Sequence, residues 1–239
     1  MSDLPTVVDV DWLERELGAN DLVLGSPPPM SDREVLEPLA SEVGLRLRRH
    51  GVTGEERLVL YDRGDGVGAM PAAQMAELAG HPRVAVLLGG LAAWRGEAEI
   101  GEVALHPVKT TFAPSMDAVP TRDELAQRLD DPLLTILDVR TDEEFAGKHG
   151  YPCDPRQGRI PGARHAHVRD LFAGPGQPLP GDHIRARIGD ADEVVTYCHS
   201  GSRSALATLA LRAAGYHARN YAGSWHEWSR HPELPAERG

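Results

Sequence analysis

Residues 194–215, VVTYCHSGSRSALATLALRAAG, join the pattern of a buried strand to that of a helix through a short loop of small residues. The run 194–197 is typical of a strand, while 204–214, rich in Ala and Leu, favours a helix that ends at Gly215. Cys198 directly follows the strand. In open α/β sheets, ligands bind beyond the carboxyl ends of the strands, so this loop is the first candidate site.

Two more strand patterns accompany this segment. Residues 134–139 form an apolar run, and residues 218–221 form a shorter one. Strands that alternate with helices along a chain imply a parallel sheet covered by helices on both faces. We therefore predict an α/β fold, built on a doubly wound, mainly parallel sheet flanked by helices.

The two halves of the chain resemble each other. LVLYDRGDGVGAM (58–70) repeats the strand, Gly-containing loop and helix of VVTYCHSGSRSAL (194–206), and AVLLGGLAAW (85–94) matches ARNYAGSWHEW (218–228). Repetition at this scale indicates two copies of one structural unit, so we expect two tandem domains.

The openings of the two halves also agree, since residues 7–27 share their leucine spacing with residues 118–140. Between the halves, EAEIGEVALHPVKTTFAP (97–114) shows no periodicity and holds two prolines, which is typical of a linker. The predicted boundaries are a first domain at 1–96, a linker at 97–116 and a second domain at 117–239.

The composition argues against several classes of function. A net charge of −11 over 239 residues disfavours nucleic acids and anionic membranes as partners. No apolar run reaches the roughly 18 residues of a spanning helix, and residues 1–12 lack the basic and apolar regions of a secretory signal. The two cysteines, Cys153 and Cys198, are too few for a disulfide framework. We expect a soluble, cytoplasmic protein.

The loop after Cys198 has the composition of an anion-binding turn. Gly201 and its serine neighbours allow successive backbone N–H groups to point inward, and the helix N-terminus adds its dipole. Next to Arg203 and His199, a cysteine in this position is favoured as a thiolate nucleophile. The alternative is that Cys198 is a small core residue. However, the first repeat has Asp62 at this position, so the fold does not require a thiol there.

Three stretches of the second half carry a resemblance to a known family. They are LDVRTDEEFAG (137–147), GRIPGARHA (158–166) and NYAGSWHEWSRHPELP (220–235). Together with the cysteine loop, they resemble the tandem-domain rhodanese sulfurtransferases of the thiosulfate type, whose amino-terminal domain is catalytically silent. The first half matches only partly, because LGSPPP (24–29) replaces the acidic-x-Arg segment.

The resemblance implies a role for each residue of the loop. Cys198 would take the outer sulfur of a donor and hold it as a persulfide, and Arg203 would help to hold the anionic end of the donor. Asp138 and Arg140 would organise the pocket, although a structural salt bridge from Arg140 to Asp138 or Glu144 is the alternative. The residues whose amides would surround the sulfur are His199, Ser200, Gly201, Ser202, Arg203 and Ser204.

The spacing in the loop bears on the reaction. Four residues separate Cys198 from Arg203, whereas related cysteine phosphatases have five, so we expect a sulfur rather than a phosphoryl group. Arg203 favours thiosulfate as the donor, with 3-mercaptopyruvate as the alternative. The acceptor would be cyanide or a thiol. A binding module without catalysis is the alternative from another class.

The remaining signals are weaker. Cys153 is expected to be an incidental surface thiol, with a resolving thiol as the alternative. No zinc-site spacing accompanies His165 and His167, and no Gly-rich nucleotide motif follows the first strand, so we expect neither a metal nor another cofactor. Trp225 and Trp228 are expected to pack the last helix rather than to contact a substrate.

Overall fold

The computed structural model describes residues 33–94 and 106–239. The described residues fall into two compact units, Glu34–Ala118 and Val119–Gly239. Three segments discussed above lie outside the described residues. They are the opening of the first repeat (7–27), the LGSPPP stretch (24–29) and residues 97–105 of the predicted linker. No helix within the described ranges is both long and apolar enough to cross a membrane.

The first unit contains a two-stranded parallel sheet, in which Leu58 lies opposite Val84 and Leu60 opposite Val86. A short 3-10 helix, Met116–Ala118, ends this unit. The larger elements are α1 (Arg33–Arg49), β1 (Leu58–Leu60), α2 (Ala69–Leu78), β2 (Val84–Val86) and α3 (Gly90–Ala93).

The strands of the second unit are β3 (Leu134–Asp138), β4 (Arg164–His165), β5 (Phe172–Gly174), β6 (Gln177–Pro178), β7 (Glu193–Tyr197) and β8 (Ala218–Asn220). Four of them form a parallel sheet with the order β4-β3-β7-β8. A small antiparallel pair, β5 and β6, lies outside this sheet. Its helices are α4 (Arg122–Gln127), α5 (Asp142–Phe145), a 3-10 turn (Val168–Leu171), α6 (Gly181–Ile188), α7 (Ser202–Ala213) and α8 (Ser224–Trp228).

Successive side chains of the central strands enter different layers of the core. Leu137 and Val194 pack with α6 and α7, whereas Ile136 and Val195 pack with Trp225 and its neighbours in a second cluster. Because side chains alternate along a strand, apolar residues at consecutive positions mean that both faces are covered. The predicted α/β fold with a parallel, helix-flanked sheet is confirmed.

This topology places the candidate loop at the carboxyl edge of the sheet. β3 and β7 run in parallel, with Asp138 opposite Tyr197, so the residues that follow both strands meet at one edge. Helix α7 begins at Ser202, one or two residues earlier than the sequence pattern indicates, because Gly201 caps it in the left-handed conformation with φ of 92°. The turn between strand and helix is therefore only four residues long, 198–201.

Candidate active site

The sulfur of Cys198 lies at the centre of this turn. The residue is 1% exposed, and its Sγ accepts a hydrogen bond from the backbone N–H of Gly201 at 3.2 Å. The hydroxyl of Ser204 lies 3.4 Å from the same sulfur. A backbone N–H aimed at the sulfur, with a hydroxyl within reach of it, stabilises negative charge that develops there during a reaction.

The shape of the turn depends on Gly201. A Cβ at this position would lie 2.6 Å from the carbonyl oxygen of Ala222, and its φ of 92° already disfavours any other residue. The carbonyl of Gly201 accepts a hydrogen bond from the side chain of Asn220 at 3.1 Å. It also lies 3.0 Å from the hydroxyl of Ser204, whose single proton is donated either to this carbonyl or to Sγ of Cys198. These contacts hold the turn that leads into α7, whose first N–H groups have no partners within the helix.

Ser224 is a site residue that the sequence reasoning missed. Its hydroxyl accepts a hydrogen bond from the backbone N–H of Cys198 at 3.1 Å and donates one to the carbonyl of Tyr221 at 2.9 Å. Ser224 has a φ of 54°, a positive value that is unfavourable for residues other than glycine. The available signal was the place of Ser224 in the closing GSW stretch, where the tryptophans predicted packing of the last helix and nothing indicated support of the nucleophile.

Arg203 does not stand free beside the sulfur. Its two terminal nitrogens donate to the two carboxylate oxygens of Glu144, each at 2.8 Å. Glu144 is itself held at the start of α5 by a reciprocal capping box with Thr141. The hydrogen bond to Glu144 raises the pKa of Arg203, so the guanidinium stays charged but is neutralised by its partner. Arg203 shares its charge with Glu144, and its predicted part in holding the anionic end of a donor stays a prediction.

This ion pair makes stability depend on pH. Burial raises the pKa of Glu144, but hydrogen bonds from Arg203 and Thr141 outweigh it and bring the pKa from 4.5 to about 2. Because the pKa of Glu144 is lower in the folded state than in the unfolded state, its carboxylate stabilises the protein above pH 4.5. That contribution is lost as the pH falls towards 2. With the Glu144 side chain 6% exposed, the contribution is on the order of 3 kcal/mol.

We therefore expect Glu144→Gln to flatten the fall in unfolding free energy between pH 5 and pH 2. The measurement is urea denaturation followed by tryptophan fluorescence at several pH values. The control is Glu143→Gln, because the neighbouring Glu143 is exposed. Equal pH dependence in the wild type and in Glu144→Gln would show that the ion pair contributes nothing to stability.

Asp138 and Arg140 occupy the interior of the second unit. Both are almost fully buried, and their side chains form a salt bridge of 2.6 Å. The guanidinium of Arg140 also donates to the carbonyl of Gly158 at 2.7 Å and lies over the rings of Tyr197 and Trp225. Arg140 therefore makes the salt bridge to Asp138 that was the structural alternative, and the predicted role of both residues in organising the pocket stays a prediction.

The other loop residues take different positions. The side chains of Ser200 and Ser202 are exposed, while the partly buried ring of His199 stacks on Tyr151 with centroids 3.7 Å apart. Nε2 of His199 lies 3.3 Å from a carboxylate oxygen of Asp154. His199 is thus fixed against the 151–154 segment, an arrangement that its sequence position did not reveal.

The tryptophans of the closing stretch are packing residues. Trp225 and Trp228 are both 0% exposed and lie in the apolar cluster on one face of the sheet. Their indole N–H groups donate to the carbonyls of Arg156 and Pro235. Such burial leaves them no surface for a substrate, as expected from the sequence.

The equivalent loop of the first unit holds a carboxylate in place of the thiol. Oδ1 of Asp62 accepts hydrogen bonds from the N–H groups of Gly64, at 2.9 Å, and Gly66, at 3.2 Å. Oδ2 accepts from Gly68 and Ala69, both at 3.1 Å. The amides of this loop are therefore satisfied by its own side chain.

Comparison with known proteins agrees with this site. The family model of the rhodanese-like domain matches residues 121–231. A probable 3-mercaptopyruvate sulfurtransferase of Pseudomonas aeruginosa is 34% identical over 213 residues, 84% of this chain and 75% of that protein. A thiosulfate sulfurtransferase of Azotobacter vinelandii is 33% identical over 233 residues, 90% of this chain and 80% of that protein.

Solved structures agree as well. The crystal structure of a probable thiosulfate sulfurtransferase is similar to this one with a TM-score of 0.72 and 30% identity, over 99% of each chain. The fold, the cysteine turn at the carboxyl edge of the sheet and the sulfurtransferase relatives all lead to the same assignment. The chain belongs to the rhodanese family of sulfurtransferases.

Proposed function

We propose that this protein transfers the sulfane sulfur of thiosulfate to cyanide or a thiol through a persulfide on Cys198. The observation that carries the proposal is the position of Sγ inside the turn, where it accepts the Gly201 N–H at 3.2 Å and lies 3.4 Å from the Ser204 hydroxyl. Donors fixed in advance around a sulfur lower the cost of forming and holding an anion there.

In the first step, the thiolate of Cys198 attacks the outer sulfur of thiosulfate. A new S–S bond forms, the bond between the two sulfurs of thiosulfate breaks, and sulfite leaves with the electron pair. The resulting persulfide ends in a second sulfur that extends beyond Sγ. The N–H groups of residues 202–204, at the start of α7, are available to stabilise its negative charge.

In the second step, the acceptor attacks the terminal sulfur. With cyanide, a C–S bond forms, thiocyanate leaves, and the bonding pair of the persulfide returns to Cys198 as a thiolate. A thiol acceptor reacts in the same way, gains the sulfur and becomes a persulfide. The enzyme alternates between two covalent states, so ping-pong kinetics are expected.

3-Mercaptopyruvate is the second candidate donor, and one observation favours it. Thiosulfate is a dianion, but the guanidinium of Arg203 is paired with Glu144, and His199 lies beside Asp154. The local positive charge is therefore smaller than the loop sequence indicates. 3-Mercaptopyruvate, with a single carboxylate, requires less of it.

The experiment that tests the proposal is intact-mass measurement of the pure protein after incubation with each donor. We expect a gain of one sulfur atom with the preferred donor, and its removal by cyanide. The donor that loads the protein identifies the substrate. No gain with either donor would contradict the persulfide mechanism, and a sluggish reaction of Cys198 with iodoacetamide would then favour the binding module.

The proposal extends to the organisation of the chain. It assigns a catalytically silent rhodanese-like domain to 1–96, a linker to 97–116 and the catalytic domain to 117–239. The internal repeat supports this division, as does the carboxylate of Asp62 at the position of the thiol. We also propose a cytoplasmic location, because both cysteines are free and a reducing compartment preserves a reactive thiol.

A further inference from the structure

Four side chains in and next to the cysteine turn place metal-binding atoms close to one another. They are Cys153, Asp154, His199 and His226, here called the Cys153 cluster, and one donor atom from each lies within 4.8 Å of all the others. The members come from the 151–157 loop, the cysteine turn and α8, so no zinc-site spacing is visible along the chain. The fold alone brings them together.

Five of the six distances between donor atoms of the cluster are close to those of a tetrahedral metal site. Sγ of Cys153 is 3.7 Å from Nε2 of His199, 3.7 Å from Nδ1 of His226 and 3.9 Å from Oδ1 of Asp154. Oδ1 lies 3.3 Å from the His199 nitrogen and 2.9 Å from the His226 nitrogen. Zinc bonded to such ligands tetrahedrally separates their donor atoms by about 3.3–3.6 Å. The two imidazole nitrogens form the sixth pair and lie within 4.8 Å of each other, so binding would require the two rings to adjust towards the ion.

The carboxylate of Asp154 supplies an independent observation. Its side chain is 1% exposed, and both imidazoles approach the same oxygen, Oδ1. Among the residues that the structure describes, Oδ2 is buried without a hydrogen-bond partner. A buried carboxylate oxygen without a partner is costly, and a bound cation compensates the charge of both oxygens.

The surroundings hold these donors in place. The guanidinium of Arg230 donates to the carbonyl oxygens of Cys153, at 3.2 Å, and His226, at 2.9 Å. The backbone N–H of His226 donates to the carbonyl of His199 at 2.9 Å, and Tyr151 stacks on the ring of His199. Outer contacts of this kind fix the orientation of metal ligands before the metal binds.

We propose that the Cys153 cluster binds one Zn²⁺ ion. A thiolate, two imidazoles and a carboxylate are the ligands that zinc takes in proteins, whereas Ca²⁺ and Mg²⁺ prefer oxygen alone. Four protein ligands close the coordination shell, which is the arrangement of a structural site. The ion would tie His199, the residue after the nucleophile, to the 151–157 loop and α8. This inference does not depend on the sulfur-transfer reaction.

The test is zinc titration of the full chain after treatment with a chelator and gel filtration. We expect one equivalent to bind, and Cys153→Ser and His226→Gln each to weaken binding by at least about tenfold. Two variants serve as controls: Cys198→Ser removes the other thiol, and His183→Gln removes an exposed histidine of α6. Both controls should bind zinc as the wild type does.

Cobalt substitution gives a second readout, since a thiolate ligand produces a near-ultraviolet charge-transfer band. The band should be absent in Cys153→Ser and present in Cys198→Ser. Circular dichroism of each variant establishes that it is folded. Zinc should also raise the melting temperature of the wild type, because it binds the native state. Wild-type binding no tighter than that of Cys153→Ser, or loss of binding in Cys198→Ser alone, would overturn the proposal.

Discussion

Replacing Cys198 by alanine is expected to abolish sulfur transfer, with a fall in turnover of at least about 10³-fold. The reason is that the reaction proceeds through a covalent bond to Sγ, which no neighbouring group can replace. Ser204 lies closest among the hydroxyls, 3.4 Å from that sulfur, but an alcohol is a far weaker nucleophile than a thiolate. The measurement combines turnover with thiosulfate and cyanide with the intact mass of the donor-treated variant.

The matched control is the other thiol of the chain. Cys153 is exposed, while Cys198 is buried among the donors of the turn. Cys153→Ser should still gain one sulfur atom, and Cys198→Ala should gain none. The reverse result, with loading lost only in Cys153→Ser, would show that the persulfide forms on Cys153 and would contradict the proposed mechanism.

The second large effect is expected at Gly201. In Gly201→Ala, the new Cβ would lie 2.6 Å from the carbonyl oxygen of Ala222, in a backbone conformation that alanine rarely adopts. Left-handed strain and the collision together should lower the unfolding free energy by about 2–4 kcal/mol. Any relief of the collision also moves the N–H that bonds Sγ of Cys198, so sulfur transfer should fall by about 10²-fold.

Gly162 offers a control that separates strain from collision. Its φ of 71° is also positive, but a Cβ there would meet nothing within 4 Å. Gly162→Ala should therefore cost only the backbone term, about 1 kcal/mol, with sulfur transfer retained. Equal losses of stability and activity in Gly162→Ala and Gly201→Ala would show that the contact with Ala222 has no part in the effect. Chemical denaturation measures the free energy of unfolding, and the turnover rate measures sulfur transfer.

The local parts of this fold could be predicted from the sequence. The strand before Cys198 and the helix after it are visible because apolar runs and Ala/Leu content act over a few neighbouring residues. Even here, the helix begins at Ser202, before the predicted start. The difference arises because Gly201 adopts a left-handed conformation and caps the helix directly before Ser202, and this choice of conformation cannot be read from Ala and Leu content.

The rest of the site depends on contacts between distant segments. Glu144 and Arg203 are 59 positions apart, and no local pattern indicates that the two side chains pair. Cys153 and His226 are separated by 73 positions. Ligand spacing along the chain reveals metal sites only where the ligands come from one or two short segments. Here the parallel sheet and its loops bring them together.

The carboxylate of Asp62 has a consequence for any attempt to restore chemistry to the first unit. Its two oxygens act as a permanent internal counter-ion for four backbone N–H groups. A thiol in its place offers one acceptor atom and would leave most of those donors unpaired. Six residues also separate Asp62 from the start of α2, against three between Cys198 and Ser202. Reactivity there requires a shorter loop as well as a cysteine.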